Sequence, residues 1–143
     1  MAARLLHDDV FRRLYRARDY LHAFHAAPLR LYDLAGHAAL SRYHFLRLFH
    51  EAFGATPHQY LIRLRLERAK TLLAATRGSV TEVCFEVGFS SLGSFSALFT
   101  QRVGCSPSGW RRRVWQVAPP PDTLARLEIP WCFVRQYGAA AAP

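Results

Sequence analysis

Lysine is almost missing from this 143-residue chain: Lys70 is the only one among nineteen basic residues, and the rest are arginines. Acidic residues are scarce too, ten against nineteen, which leaves a formal net charge of +9. Cysteine is limited to Cys84, Cys105 and Cys132, an odd number, widely spaced and without a CxxC pair. That spacing argues against a zinc ribbon or a disulfide framework and for a reduced, cytoplasmic protein. No apolar run approaches the roughly 18–20 residues that span a bilayer. Arg4, His7, Asp8 and Asp9 interrupt any secretion-signal core, so neither export nor a membrane partner is expected.

What is present is enough for a core. Hydrophobic residues make up 51% of the chain, fitting one ordinary domain or two small lobes. Arginine's planar fork suits phosphates and base edges. The excess positive charge favours nucleic acid or an anionic membrane surface, with a merely basic solvated surface as the lesser alternative. A membrane surface is disfavoured because the arginines accompany helices whose apolar faces are needed for a core.

The most informative stretch runs from Ser41 to Gly54. At 100° per residue it is a two-faced helix. Phe45, Leu48, Phe49, Ala52 and Phe53 share one face, and Tyr43, Leu46, Arg47 and His50 share the other. Ser41 is placed as an N-cap and Gly54 as the residue that ends the helix at positive φ. About fifty residues later the pattern returns: Phe95, Leu98, Phe99, Gly104 and Pro107 repeat Phe45, Leu48, Phe49, Gly54 and Pro57. Just before each helix the offset is one shorter, so Ala35 through Ser41 matches Cys84 through Ser90. The second copy therefore has one extra residue entering its outer helix. A repeat of this length is hard to obtain by chance.

Around these two stretches the spacing predicts further helices. Asp8 or Asp9 caps one from about Val10 to Ala26, closed by Pro28, with residues 1–6 frayed. Leu31–His37 is a short scaffold helix. Thr56 caps a long helix begun by Pro57, apolar on nearly opposite sides as a helix bounded by two lobes would be. Ser79 caps the next, whose buried stripe is Val80, Val83, Cys84 and Val87. Gly88-Phe89-Ser90 makes the second turn, 91–103 is the second outer helix, and a last helix runs from Pro107 to about Val114. The layout is two helix-turn-helix units, lobe one about 8–56 and lobe two 79–114, joined by a helix over 57–75. Together they make an all-α, seven-helix bundle spanning 8–114.

Residues 115–143 form an extension, partly disordered, with a stiff Pro119-Pro120-Pro121 linker. Its β-prone Trp131-Cys132-Phe133-Val134 run has a hairpin with Trp115–Val117 as one pairing option. Cys132 motivates an alternative function, a thiol- or metabolite-sensing tail that modulates DNA binding. His22 and His25 share a helix face but lack a third ligand, so neither a metal nor a cofactor is expected. Nothing places a nucleophile beside a base, so no enzyme is expected.

Several motifs together resemble the DNA-binding domain of AraC/XylS transcriptional regulators. They are Phe45…Leu48-Phe49, Gly54-Ala55-Thr56-Pro57-His58-Gln59-Tyr60, Arg63 through Ala69, Val87-Gly88-Phe89-Ser90-Ser91, Phe95-Ser96 and Gly104-Cys105-Ser106-Pro107. The resemblance covers roughly residues 10–114. It implies seven helices, asymmetric promoter sites on double-stranded DNA, and recognition helices at about 41–53 and 91–103 in successive major grooves. It also brings in RNA polymerase as a further partner. With no room before the motifs for a sensor domain, the chain resembles the stand-alone, MarA/SoxS-like members, expected to act as a monomer on DNA.

By position, the family's base-reading role falls on Arg42, Tyr43, Leu46 and Arg47, with Arg47 the foremost. Tyr43 and Leu46 fit thymine methyls or sugars, and equally fit partly buried packing. In the second lobe the contacts fall on Ser91, Leu92, Gly93, Ser94 and Ala97. Ala97 there replaces an arginine common in the family. With so few long side chains, lobe two is expected to hold the backbone through Ser91, Ser94, Thr100, Gln101 and Arg102. His44, His50, Arg63 and Arg65 are further phosphate candidates, with a plain surface role open for both histidines.

Overall fold

The structure, a computed structural model, describes residues 2–120, with side chains from Asp8 onward. Within them the regular elements are all α-helices: α1 Ala2–Ala23, α2 Leu31–His37, α3 Arg42–Phe53, α4 Pro57–Ala75, α5 Val80–Glu86, α6 Leu92–Val103 and α7 Pro107–Val117. The hydroxyl caps expected at Ser41, Thr56 and Ser79 are in place, and Ser91 and Ser106 cap α6 and α7 in the same way. Ser41, Thr56, Ser79, Ser91 and Ser106 each accept a backbone N–H from three residues on. Thr56–Gln59 and Ser79–Glu82 close full capping boxes.

Two cores result. Lobe one packs Leu14, Ala17 and Leu21 of α1 against Leu34, Ala35 and Ala38, with Phe45 and Phe49 of α3 fully buried among them. Lobe two packs Val83, Cys84 and Val87 around Phe95 and Phe99 of α6. Burying a Phe in this way stabilises by about 3–5 kcal/mol relative to Ala. The helix α4 serves both: Leu61 enters the first core, and Leu66, Ala69, Leu72 and Leu73 enter the second. Its apolar residues on opposite sides have this cause.

Three details differ from the sequence reading. The first is the span of α1, which begins at Ala2 and ends at Ala23, not Val10 to Ala26. Nothing between Ala2 and Asp9 breaks a helix, so Asp8 and Asp9 lie inside it, and Asp9 pairs with Arg13 one turn on. At the other end, Arg65 holds the carbonyl oxygens of His25 and Ala27, and the chain leaves the helix there.

The second detail is α7, which continues to Val117, so Trp115–Val117 is helix and not a strand of a hairpin. Trp115 Nε1 donates to the Ala74 carbonyl (2.9 Å), tying this turn to the end of α4. The run 131–134, Cys132 and the rest of 121–143 lie outside the described residues. The third is the helix-turn-helix turn itself, where the residue at positive φ is Ala39 in lobe one (φ 49°) and Gly88 in lobe two (φ 94°). These two are 49 positions apart while the N-caps Ser41 and Ser91 are 50 apart, so Ser90 is the extra residue.

Candidate nucleic-acid interface

The outer helices α3 and α6 each have twelve residues and are set out alike. Positions 41–50 and 91–100 follow the same sequence of exposed, half-buried and buried residues. In both, the first four positions are exposed, the phenylalanine at the fifth is buried, and the seventh is exposed again. Hydrophobic periodicity thus turns one face of each helix into its lobe and leaves the N-terminal half of the other face open.

On α3, Arg42, Tyr43, His44 and Arg47 are exposed. Tyr43, at 80% exposure, has the Arg42 guanidinium 5.7 Å from its ring centroid. Ser41, Tyr43, His44 and Arg47 line one shallow hollow. Among the described residues Arg47 pairs with Glu51, at 3.9 Å, and both side chains are well exposed. A pair of that kind contributes little, so the guanidinium is free to exchange Glu51 for an anionic or base-edge acceptor. Leu46 departs from the group: it is half-buried, beside Leu31, Leu34 and Leu61. His50 is exposed one turn beyond His44.

The face of α6 is smaller and more polar. Ser91, Leu92, Gly93, Ser94 and Ala97 are exposed. The Ser91 hydroxyl accepts from the Ser94 backbone N–H and donates to the Ser94 hydroxyl, both at 3.1 Å. Thr100 donates back to the Ser96 carbonyl (2.8 Å), while Gln101 and Arg102 are exposed. Between the lobes, α4 floors a cleft of about 600 Å³ that Arg63, Lys70 and Arg102 border. Arg63 lies 4.9 Å from the Tyr60 ring centroid and remains exposed.

Arg65 is the candidate that the structure places elsewhere. Its Nε donates to the His25 carbonyl (2.6 Å) and its Nη2 to the Ala27 carbonyl (2.9 Å). Burial pushes its pKa down. Its fork is occupied inside the molecule, away from the phosphate role expected of it. Arg111, to which no motif assigns a role, does the same in lobe two, donating to the Leu73 and Gly78 carbonyls. No sequence signal separates these two from the solvated arginines, since their acceptors lie 33–40 residues away. The histidine pair bonds within the molecule near its surface: His22 hydrogen-bonds Tyr60 Oη (3.0 Å) and His25 Nδ1 donates to the His22 carbonyl (2.9 Å). Among the described residues no three potential ligands cluster to hold a metal, and no helix is long and apolar enough to cross a membrane.

Two matched helix-turn-helix units leave both outer helices open, and residues 34–113 match the family described as a helix-turn-helix domain. The chain belongs to the AraC/XylS family of helix-turn-helix DNA-binding domains. The DNA-binding domain of AdpA, solved in complex with a target DNA, superposes on this AraC/XylS-type domain with a TM-score of 0.70. It is 30% identical, over 75% of this chain and 96% of that one. An AraC-type regulator from Chromobacterium violaceum gives a TM-score of 0.68 at 31% identity, over 73% and 94%. Among curated proteins, the MmsAB operon regulatory protein of Pseudomonas aeruginosa is 38% identical over 99 residues, 69% of this chain and 31% of its own length. The transcriptional activator RclR of Escherichia coli is 37% identical over 87 residues, 61% and 31%. The chain thus spans about a third of the length of these curated relatives.

Proposed function

We propose that this chain regulates transcription by binding duplex DNA sequence-specifically, with α3 and α6 in successive major grooves of one face, about 34 Å apart. The observation that carries the reading is the matched exposure of the two outer helices, repeated position for position over 41–50 and 91–100. The net charge of +9 supplies the attraction for the phosphate backbone. Arg47 reads a base edge by its fork, with Arg42 and Tyr43 beside it. Leu46, being half-buried, contributes an edge of apolar surface to a thymine methyl. Lobe two holds the backbone through Ser91, Gly93, Ser94, Ala97, Thr100, Gln101 and Arg102. His44, His50 and Arg63 add phosphate contacts. Arg65 is left out of this assignment because its Nε and Nη2 are held by the His25 and Ala27 carbonyls.

Two lobes in one chain already span two grooves, so a monomer suffices for one site. RNA polymerase is the protein partner such a regulator addresses, and the exposed Tyr32 and Phe85 on α2 and α5 offer apolar handles for it. The reading places the protein in the cytoplasm, gives it no catalytic step and needs no cofactor or metal.

The test is selection from a randomised duplex library at about 150 mM salt, near physiological ionic strength, followed by sequencing. The expected product is an asymmetric motif with one sharp half and one loose half. Two equally sharp halves would overturn the division of labour between lobes, and no motif would overturn sequence-specific binding.

A further inference from the structure

The two lobes meet at a second place besides α4. Arg65, midway along α4, ties down the α1–α2 connection through the His25 and Ala27 carbonyls, at 2.6 and 2.9 Å. Its guanidinium carbon also lies 5.8 Å from the ring centroid of Phe89, in the turn of lobe two. Next to Phe89, a β-carbon on Gly88 would sit 2.6 Å from the Ala26 carbonyl oxygen and 2.8 Å from the Ala26 Cα. No side chain fits there. The equivalent position in lobe one, Ala39, adopts positive φ with its β-carbon in place and is exposed. The turn of lobe one therefore accepts a β-carbon at φ 49°. Glycine at 88 is favoured by its own φ of +94° and is further demanded by the backbone of lobe one at Ala26.

We propose that Arg65 and Gly88 form a phase lock between the two lobes and are the positioning residues that set which half-site spacing the protein accepts. The second half of this statement rests on the DNA-binding reading above; the lock itself does not. A change of one base pair between half-sites moves the second groove by about 3.4 Å along the axis and turns it by about 34° around it. A bare helix can bend and twist by part of that. Contact at van der Waals distance between Gly88 and Ala26, pinned by an arginine fork, cannot follow without breaking. Arg65 and Gly88 touch no base in this scheme. They act through the relative position of α3 and α6.

Two measurements test it in Arg65→Met, which keeps the stem and loses the fork, and in Gly88→Ala, which forces the lobes apart. The first uses the free protein. Spin labels at Gly36→Cys and Glu86→Cys, with Cys105 and Cys132 changed to serine, report the distance between lobes. The full chain with Arg65 and Gly88 intact is expected to give one narrow distance, and each variant a distribution at least twice as wide. A broad distribution with both residues intact overturns the lock, even if a variant fails to fold. So does an unchanged width in Arg65→Met that remains helical by circular dichroism.

The second measurement compares binding to the selected site with binding to sites whose spacer is one base pair longer or shorter. The unsubstituted protein is expected to discriminate by tenfold or more, and the variants by threefold or less, with base preference inside the first half-site unchanged. A folded Arg65→Met with undiminished spacer discrimination overturns the spacing role. If the unsubstituted protein recovers no motif, the DNA-binding reading and the spacing role fall together, while the label distances still decide the lock.

Discussion

Arg47 and Ala97 occupy the same point of the two outer helices, each exposed and each two residues after the first buried phenylalanine, but one ends in a guanidinium and the other in a methyl group. The scaffold around them is repeated, so the difference in what they can recognise comes from the side chains alone. A guanidinium fork onto a base edge discriminates by about 1–3 kcal/mol, and a methyl group offers only contact with another methyl.

Arg47→Ala is therefore expected to weaken binding by roughly 1–3 kcal/mol and to flatten preference at one base pair. Titration of a selected duplex and its single-base variants checks this. Full affinity with full selectivity would remove Arg47 from the interface. The reciprocal Ala97→Arg is expected to sharpen the loose half of the motif.

Salt dependence should separate outward arginines from internal ones. Each phosphate contact contributes about 0.9 to the slope of log affinity against log salt. Arg63→Ala or Arg102→Ala is expected to reduce that slope by roughly one, as both are exposed beside the cleft. Arg65→Met should leave the slope unchanged, because Nε and Nη2 already face carbonyl oxygens. Affinities measured from about 50 to 200 mM salt give the slopes directly, and an equal drop for Arg65→Met would return it to the phosphate contacts.

Ala39 holds φ at +49° with room around it. A left-handed alanine is disfavoured by roughly 1–2 kcal/mol, part of which glycine gives back through its freer unfolded chain. Ala39→Gly is expected to stabilise lobe one by about 0.5–1 kcal/mol in urea denaturation. Gly88→Ala, at the matching turn, should be strongly destabilising, since it meets backbone. A Gly88→Ala cost no larger than the roughly 1–2 kcal/mol of left-handed strain would mean that the turn conformation matters and the lobe contact does not.

The cap of α5 carries an acid-sensitive element. The Ser79 backbone N–H, and then the Ser79 side chain, hold the Glu82 carboxyl below its usual range. A depressed folded-state pKa gives stability that is present above the unfolded value, near 4.3, and lost as pH falls through the folded value. The stability gap between the protein and Glu82→Gln should be open at pH 6 and close as pH drops below about 4. Urea midpoints across that range measure it, and a gap that persists at low pH would rule out the charged cap as its source.

A raised pKa works in the other direction at Cys84, where burial disfavours the thiolate. Its contribution is fully present below the unfolded value, near 8.5, and is lost as pH rises through the folded one. Stability is expected to decline on the alkaline side, and less so in Cys84→Ala, as read by thermal melts between about pH 7 and 10.

Much of this molecule is decided by local rules acting on the sequence itself. Hydroxyl caps at Ser41, Thr56, Ser79, Ser91 and Ser106, glycines ending α3 and α6, and the spacing of Phe45, Phe49, Phe95 and Phe99 are short-range signals. Each is satisfied within one or two turns of helix, so the seven elements, the repeat and the outward faces of α3 and α6 follow without knowledge of the partner surfaces. Tertiary structure decided the rest. Arg65 and Arg63 are two residues apart on one helix, and only packing brings carbonyls to the first and leaves the second in solvent. Gly88 reads as an ordinary turn glycine until Ala26 is seen against it. Trp115 belongs to α7 because the Ala74 carbonyl lies within reach of its indole N–H. A hydrogen-bond donor on a long side chain has no preferred partner along the chain, and its acceptor is chosen by the fold.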